Sequence, residues 1–567
     1  RFIVEALDWL VIGVFFLALI GIIVWVVRQK QNDSADYFLG GRDATWLAIG
    51  ASIFASNIGS EHLIGLAGAG ASSGMAMAHW EIQGWMILIL GWVFVPFYTR
   101  SMVYTMPEFL ERRYNPQSRT ILSVISLVSY VLTKVAVTVY AGGLVFQQVF
   151  GIKELWGIDF FWIAAIGLVV LTALYTIFGG MKSVLYTSVL QTPILLLGSL
   201  IILVLGFKEL GGWDEMMRVC GAVTVNDYGD TMTNLIRSND DANFPWLGAL
   251  IGSAIIGFWY WCTDQFIVQR VLSGKNEMEA RRGTIFGAYL KLLPVFLFLI
   301  PGMIAFALHQ KYIGAGGEGF LPMLENGTAN ADAAFPTLVA KLLPAGVKGL
   351  VVCGILAALM SSLASLFNSS AMLFTIDFYK RFRPQTSEKK LVGIGQVATV
   401  VIVILGILWI PIMRSVGDVL YTYLQDVQSV LAPGIAAAFL LGICWKRTSA
   451  QGGMWGLISG MVIGLTRLGA KVYYSNAGEV ADSTFKYLFY DMNWLFFCGW
   501  MFLFCIIVVI VVSLATEAPT AEKIQGLVFG TATKEQKAST RASWNHWDII
   551  HTVIILAITG AFYWYFW

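Results

Sequence analysis

The chain has 567 residues, of which 57% are hydrophobic and only 13% charged, with a net charge of +2 and a mean hydropathy of +0.71. These values exclude an ordinary soluble globular domain, in which about a quarter of the residues are charged. So small a net charge gives no sign of a nucleic-acid partner, and the composition makes lipid the solvent for most of the chain.

A membrane-spanning helix needs roughly 20 apolar residues. In chain order, about fourteen stretches meet that length: 7–28, 45–71, 75–99, 120–150, 159–179, 184–206, 245–270, 283–309, 345–378, 392–413, 419–443, 452–468, 494–515 and 547–567. They are long and uniformly apolar, unlike the alternating segments of about ten residues that build a membrane barrel. The expected fold class is therefore an all-α integral membrane protein of the cell membrane. The first stretch is too long for a signal-peptide core and lacks a small-residue cleavage site after it, so it reads as a retained helix. The six cysteines are scattered and form neither a metal-ligand spacing nor a disulfide set.

Basic residues concentrate in alternate joints. Arg28, Lys30 and Arg42 form the first such group, followed by Arg100, Arg112, Arg113 and Arg119, then Lys275, Arg281 and Arg282, then Lys380, Arg381, Arg383, Lys389 and Lys390. Short cytoplasmic loops are rich in Lys and Arg, which puts these joints inside and the N-terminus outside. Fourteen crossings return the C-terminus to the outside, and the joint carrying Lys523, Lys534, Lys537 and Arg541 falls on the cytoplasmic side.

Two spans contain residues that weaken a helix in lipid, where freed backbone must line a cavity. The second stretch holds Ala55, Ser56, Asn57, Ile58, Gly59, Ser60, Glu61 and His62; the seventh runs from Gly257 through Trp259, Tyr260 and Trp261 to Asp264 and Gln265. They lie five helices apart, the spacing of two inverted five-helix repeats whose first helices are each broken around a central site. Ionisable residues within spans mark a pathway or site by default. Here they are Glu61, His62, Glu81, Lys134, Asp264, Lys291 and Asp426. For each the alternative is pairing inside a packed bundle, least so for Glu81 and Lys291, which sit deep in apolar runs.

Seven blocks resemble the sodium/solute symporter family, and within it the sodium/glucose cotransporters: SADYFLGGR (34–42), ASNIGSEHLIGLAGAGA (55–71), TMPEFLERRY (105–114), FWYWCTDQFIVQR (258–270), YLKLLP (289–294), LMSSLASLFNSS (359–370) and PGIAAAFLLGICWKR (433–447). They run in family order over nearly the whole chain. The resemblance implies a leucine-transporter-like core of five plus five helices that works by alternating access and is not an enzyme. It divides the chain into an extra helix and joint (1–44), a first repeat (45–206), an extracellular loop (207–242), a second repeat (243–444) and further helices (445–567).

Carried over residue by residue, the resemblance implies that Asn57, His62, Glu81, Tyr260, Trp261, Lys291 and Gln425 hold a sugar. The chemistry suits a hexose, whose hydroxyls both donate and accept and whose ring offers an apolar face to an aromatic side chain. Leu66, Trp80 and Tyr421 fall at the family's outer gate and Tyr260 at its inner gate, although plain packing is the alternative for each. A co-transported sodium ion is expected on Ala55, Ile58, Ala358, Ser361 and Ser362, because a hard monovalent cation takes carbonyl and hydroxyl oxygens. Adjacent serines in a helix otherwise bond back to the preceding turn.

Two departures from the family pattern bear on mechanism. Tyr186 and Thr187 are followed by Ser188 rather than Asp, and Ser361-Ser362-Leu363 by Ala364 rather than a hydroxyl residue. Members coupling a second sodium resemble one another in having both groups, so one sodium per sugar is expected. Gly257 replaces a polar residue beside the aromatic pair and is expected to widen the pocket. Other solutes of the same family, myo-inositol, sialic acid, proline or a vitamin, remain open. A haem or metal enzyme finds no same-face histidine pair, and a sensor would need a soluble signalling domain.

Overall fold

The computed structural model describes residues 5–29, 33–59, 61–323 and 327–567, excepting inside its helices the side chains of 61, 128, 131–133, 136, 137, 140, 141, 144, 147, 148, 332, 409–427, 472, 475 and 476. Helices make up almost all of it. Each helix satisfies its own backbone, the requirement lipid imposes on any spanning segment. The paired strands among the described residues are a short hairpin, Glu154–Leu155 against Ile158–Asp159, with Glu154 opposite Asp159.

Nine helices among the described residues are long and apolar enough to cross a bilayer, and two shorter apolar ones, Trp46–Asn57 and Gln428–Cys444, accompany them. The 51-residue helix Phe160–Leu210 is bent at Gly180, which has φ +59°. A side chain there would strike the Tyr37 carbonyl at 2.3 Å, so glycine is needed on both counts. The bend separates the stretches expected at 159–179 and 184–206.

Helices differ in what they face. In the most apolar window of Val347–Lys380, 89% is buried within the molecule, against 22% for Ala6–Val27. The former is a central helix; the latter turns Leu10 and Leu17 outward and packs Ile12, Phe15 and Leu19 inward. Trp494–Ala515 and His546–Tyr565 are peripheral in the same way.

Both expected interruptions are present. Trp46–Asn57 stops because Ile58 takes extended backbone (φ −77°, ψ +116°), and the chain resumes as a wide turn, Glu61–Leu66, and a helix, Ala67–Ser72. Trp246–Phe258 opens into a wide turn, Trp259–Thr263, and breaks at extended Asp264 (φ −80°, ψ +130°) before Gln265–Leu272. Wide turns of this kind cluster at functional sites.

Basic joints meet at one end of the molecule. Arg42 donates to the Met102 carbonyl at 3.0 Å, Arg100 to Thr540 Oγ1 at 2.5 Å and Lys523 to the Glu111 carbonyl at 3.1 Å. At other joints Asp8 accepts from the Gly346 amide at 2.6 Å, and the Phe566 carbonyl accepts from the Leu235 amide at 2.8 Å.

Candidate functional site

The first interruption lies against Val347–Met372. A Cβ on Gly59 would come within 2.9 Å of Ser362 Oγ, so glycine permits the approach. Ser362 Oγ donates to the Ser56 carbonyl at 2.8 Å and the Ile58 carbonyl at 3.0 Å. Ser361 instead donates to Gln191 Oε1, and Ser56 meets Ser365 hydroxyl to hydroxyl. Both serines therefore reach other helices rather than bonding back along their own. Of the five expected sodium ligands, Ile58 and Ser362 are in direct contact; Ala55, Ala358 and Ser361 are buried within one turn of them. The set is carbonyl and hydroxyl oxygen throughout, which suits a hard monovalent cation carried as cargo.

Between the two interruptions lies a cavity of about 180 Å³. Asn57, His62, Glu81, Tyr260, Trp261 and Lys291 all line it. This volume is below the roughly 300–1,000 Å³ of drug-sized pockets and suits a small solute. Gln425 and Tyr421 lie outside the described side chains, as do those of Glu61 and Asp426; Gln428 lines the cavity from the same helix. Leu66 and Trp80 are also on the wall.

Glu81 is the hub of the polar wall. It accepts from Lys291 Nζ at 2.7 Å and His62 Nε2 at 3.1 Å. With Nε2 directed at the carboxylate, Nδ1 is the remaining ring nitrogen of His62. That Nδ1 and the Asn57 Nδ2 have no hydrogen-bond partner among the described residues. The Lys291 ammonium lies 5.3 Å from the centre of the Trp261 ring, and Trp261 Nε1 donates to Gln83 Oε1 at 3.2 Å.

Lower on the wall, Lys134 Nζ sits 3.2 Å from Asp264 Oδ2 and within 4.9–5.4 Å of the rings of Tyr130, Trp259, Tyr260 and Phe266. The two buried lysines of the cavity thus each have a carboxylate. Buried ionised groups require such pairing in lipid.

Gly257 does not widen the cavity as expected. A Cβ there would meet the Gln83 amide at 2.8 Å, so the space freed by the missing side chain is filled by Gln83, whose Nε2 is tied to the Ser253 carbonyl at 2.8 Å. Gln83, Gln191, Gln428 and Trp494 were not singled out from the sequence. Trp494 lines the cavity and stacks on Trp80 at 5.7 Å between ring centres. A polar residue two positions from a lone buried acid was the available signal for Gln83; nothing local marks Trp494.

A sodium:solute symporter family profile matches residues 37–460. The human sodium/myo-inositol cotransporter 2 is 37% identical over 92% of this chain and 79% of its own length. The zebrafish (Danio rerio) sodium/glucose cotransporter 4 is 36% identical over 96% of this chain and 84% of its own. Among solved structures, the substrate-bound outward-open state of a Na+-coupled sialic acid symporter superposes with a TM-score of 0.71 at 21% identity, covering 91% of this chain and 99% of that one. The fold is thus a leucine-transporter-like one, and the relatives are transporters, not enzymes. The chain belongs to the sodium:solute symporter family, multi-pass membrane proteins that move a small solute together with sodium.

Proposed function

We propose that this chain carries a neutral sugar, glucose or galactose, with one sodium ion per sugar, by alternating access. The observation that carries this reading is Glu81 bonded to both Lys291 (2.7 Å) and His62 (3.1 Å) on one cavity wall, beside Asn57 Nδ2 and His62 Nδ1, which have no partner among the described residues. A polyol hydroxyl, both donor and acceptor, can hydrogen-bond to His62 Nδ1 and accept from Asn57 Nδ2, satisfying groups that are otherwise left buried and costly. Trp261 and Tyr260 present ring faces to the apolar side of a pyranose. Among the described residues of the wall, Lys291 is matched by Glu81 and Lys134 by Asp264, which favours a neutral solute over a carboxylate such as sialic acid.

In this reading Asn57, His62, Glu81, Tyr260, Trp261, Lys291 and Gln425 hold the sugar. Leu66, Trp80 and Tyr421 close above it and Tyr260 below. Sodium takes the oxygens of Ala55, Ile58, Ala358, Ser361 and Ser362. The cation draws the Ile58 carbonyl and the Ser362 hydroxyl together and fixes the interruption that also carries Asn57 and His62. Coupling is then a reciprocal free energy between two adjoining sites. The repeats are residues 45–206 and 243–444, each opening on its interrupted helix.

A second reading, myo-inositol as the solute, is supported by the name of the similar human protein, an inositol cotransporter, as glucose is by that of the zebrafish one. Both solutes are neutral polyols of similar size. Both termini lie outside in the proposed topology, supported by the contacts of Asp8 with Gly346 and of Phe566 with Leu235, away from the joints where Arg42, Arg100 and Lys523 meet.

Purified protein in liposomes, given an inward sodium gradient, should accumulate labelled glucose, with unlabelled galactose and then myo-inositol competing and sialic acid not. No accumulation of any hexose or inositol overturns the proposal, and preferred uptake of inositol selects the second reading.

A further inference from the structure

Gln191 lies on the Phe160–Leu210 helix beyond its bend and is 1% exposed. Its neighbour Thr192 donates to the Ala51 carbonyl at 3.1 Å, so this stretch rests on the first interrupted helix as well as on Val347–Met372. Gln191 Oε1 accepts the Ser361 hydroxyl proton, while its Nε2 has no partner among the described residues. Other hydroxyls nearby on this helix are spent on it: Thr187 bonds back to the Ser183 carbonyl and Ser188 to the Val184 carbonyl, each at 2.6 Å.

The two serines of the expected cation site therefore stand in opposite states. A hydroxyl has one proton and two lone pairs. To coordinate a cation it must send the proton elsewhere. Ser362 shares its proton between the Ser56 and Ile58 carbonyls, and Ile58 is itself an expected ligand, so the proton has to settle on Ser56 when a cation takes the Ile58 oxygen. Ser361 has its proton on Gln191, leaving both lone pairs available with no change of rotamer. Groups behind a ligand that fix its orientation tune ion affinity by 10- to 100-fold in metal sites.

We propose that Gln191 is the positioning residue of the sodium step: it holds the Ser361 proton and so aims that hydroxyl's oxygen at the cation without touching the ion. The inference rests on the reading of Ser361 and Ser362 as sodium ligands.

The test is sodium-dependent thermal stabilisation of the purified protein without sugar, with potassium as the control cation, together with sugar affinity at saturating sodium. Gln191→Met keeps the shape but removes the acceptor, and should raise the half-saturating sodium concentration by about tenfold. Gln191→Glu still takes the Ser361 proton and should stay within about threefold of wild type, with sugar affinity at saturating sodium unchanged in both. In a Ser361→Ala background Gln191→Met should add nothing, as a double-mutant cycle requires of a residue acting through Ser361. An unshifted Gln191→Met, or an equal shift in the Ser361→Ala background, overturns the role of Gln191 alone. If Gln191→Met does not fold, a Gln191→Glu variant weakened tenfold or more overturns it instead. Unaltered sodium half-saturation in Ser361→Ala itself removes the cation reading on which the proposal stands.

Discussion

Lys134 and Asp264 meet at 3.2 Å exactly where the second interrupted helix breaks, the ammonium being boxed by four aromatic rings and both side chains 9% exposed or less. The pair ties the Tyr130–Val135 turn to extended Asp264, the residue whose backbone separates the two half-helices. The Asp264 carbonyl also accepts from the Ile267 and Val268 amides at 3.2 and 3.0 Å, and the Phe266 amide donates to Tyr130 Oη at 3.3 Å, so the charge pair adds to hydrogen bonds already at the joint.

Removing one partner of a buried pair costs about 3–5 kcal/mol, whereas replacing both by apolar groups is close to neutral. Asp264→Asn should therefore lower the melting temperature of the detergent-solubilised protein and reduce uptake. Lys134→Met with Asp264→Leu should recover most of the stability. Equal melting temperatures for the single and double variants would show that the pair carries no such weight.

Glu81 supports two donors at once, and hydrogen bonds to a charged group contribute about 1.5–3 kcal/mol. Glu81→Gln should weaken sugar affinity by roughly 10- to 150-fold by that measure. Sodium half-saturation measured without sugar should be unaltered, because the oxygens proposed for the cation, Ile58 and Ser362 among them, do not include Glu81. The same variant leaves Lys291 without its carboxylate, so a hexuronate should compete better against it than against wild type. Competition uptake with glucose and glucuronate reads both effects, and wild-type glucose affinity would remove Glu81 from the site.

Trp494 lines the cavity from the Trp494–Ala515 helix, its ring lying 12° from parallel to Trp80. Aromatic pairs contribute about 0.5–1.5 kcal/mol beyond burial. Trp494→Ala should speed sugar release to the outer side and weaken apparent affinity by roughly 2- to 13-fold, with Trp494→Phe intermediate. Exchange of labelled sugar in sodium-loaded vesicles measures this directly, and identical exchange rates in all three proteins would assign Trp494 to packing.

What could be read from the chain was whatever conflicts with lipid. Residues 55–62 and 257–265 are poor helix formers inside apolar spans, and the breaks at Ile58 and Asp264 fall within them. Glu81 and Lys291 were visible because an isolated charge in such a run needs a partner; that they partner each other across 210 residues was not, since nothing local encodes which helices touch. The same holds for Gln83 with Trp261, Gln191 with Ser361 and Trp80 with Trp494, whose meeting is a property of the bundle. The effect of Gly257 was misjudged for this reason: an absent side chain leaves space only if no neighbour takes it, and Gln83 does.

The proposed coupling of one sodium per sugar draws its support from the helix that carries Gln191. Ser188 stands where the family resemblance implies an acid in two-sodium members; its hydroxyl donates to the Val184 carbonyl at 2.6 Å and that of Thr187 to the Ser183 carbonyl at 2.6 Å. Only the protons are held within the helix, so what this helix lacks is the carboxylate itself, and Ala364 brings no hydroxyl from the facing one. With one ion, a charge crossing about 100 mV contributes roughly 2.3 kcal/mol, and a tenfold sodium gradient about 1.4 kcal/mol. Their total, about 3.7 kcal/mol, sustains roughly 500-fold accumulation of a neutral solute, and a second ion would square that ratio. Charge and labelled sugar measured together in the same voltage-clamped vesicles should give one charge per sugar. Two charges per sugar would require a second cation site despite Ser188 in place of an acid and Ala364 in place of a hydroxyl residue.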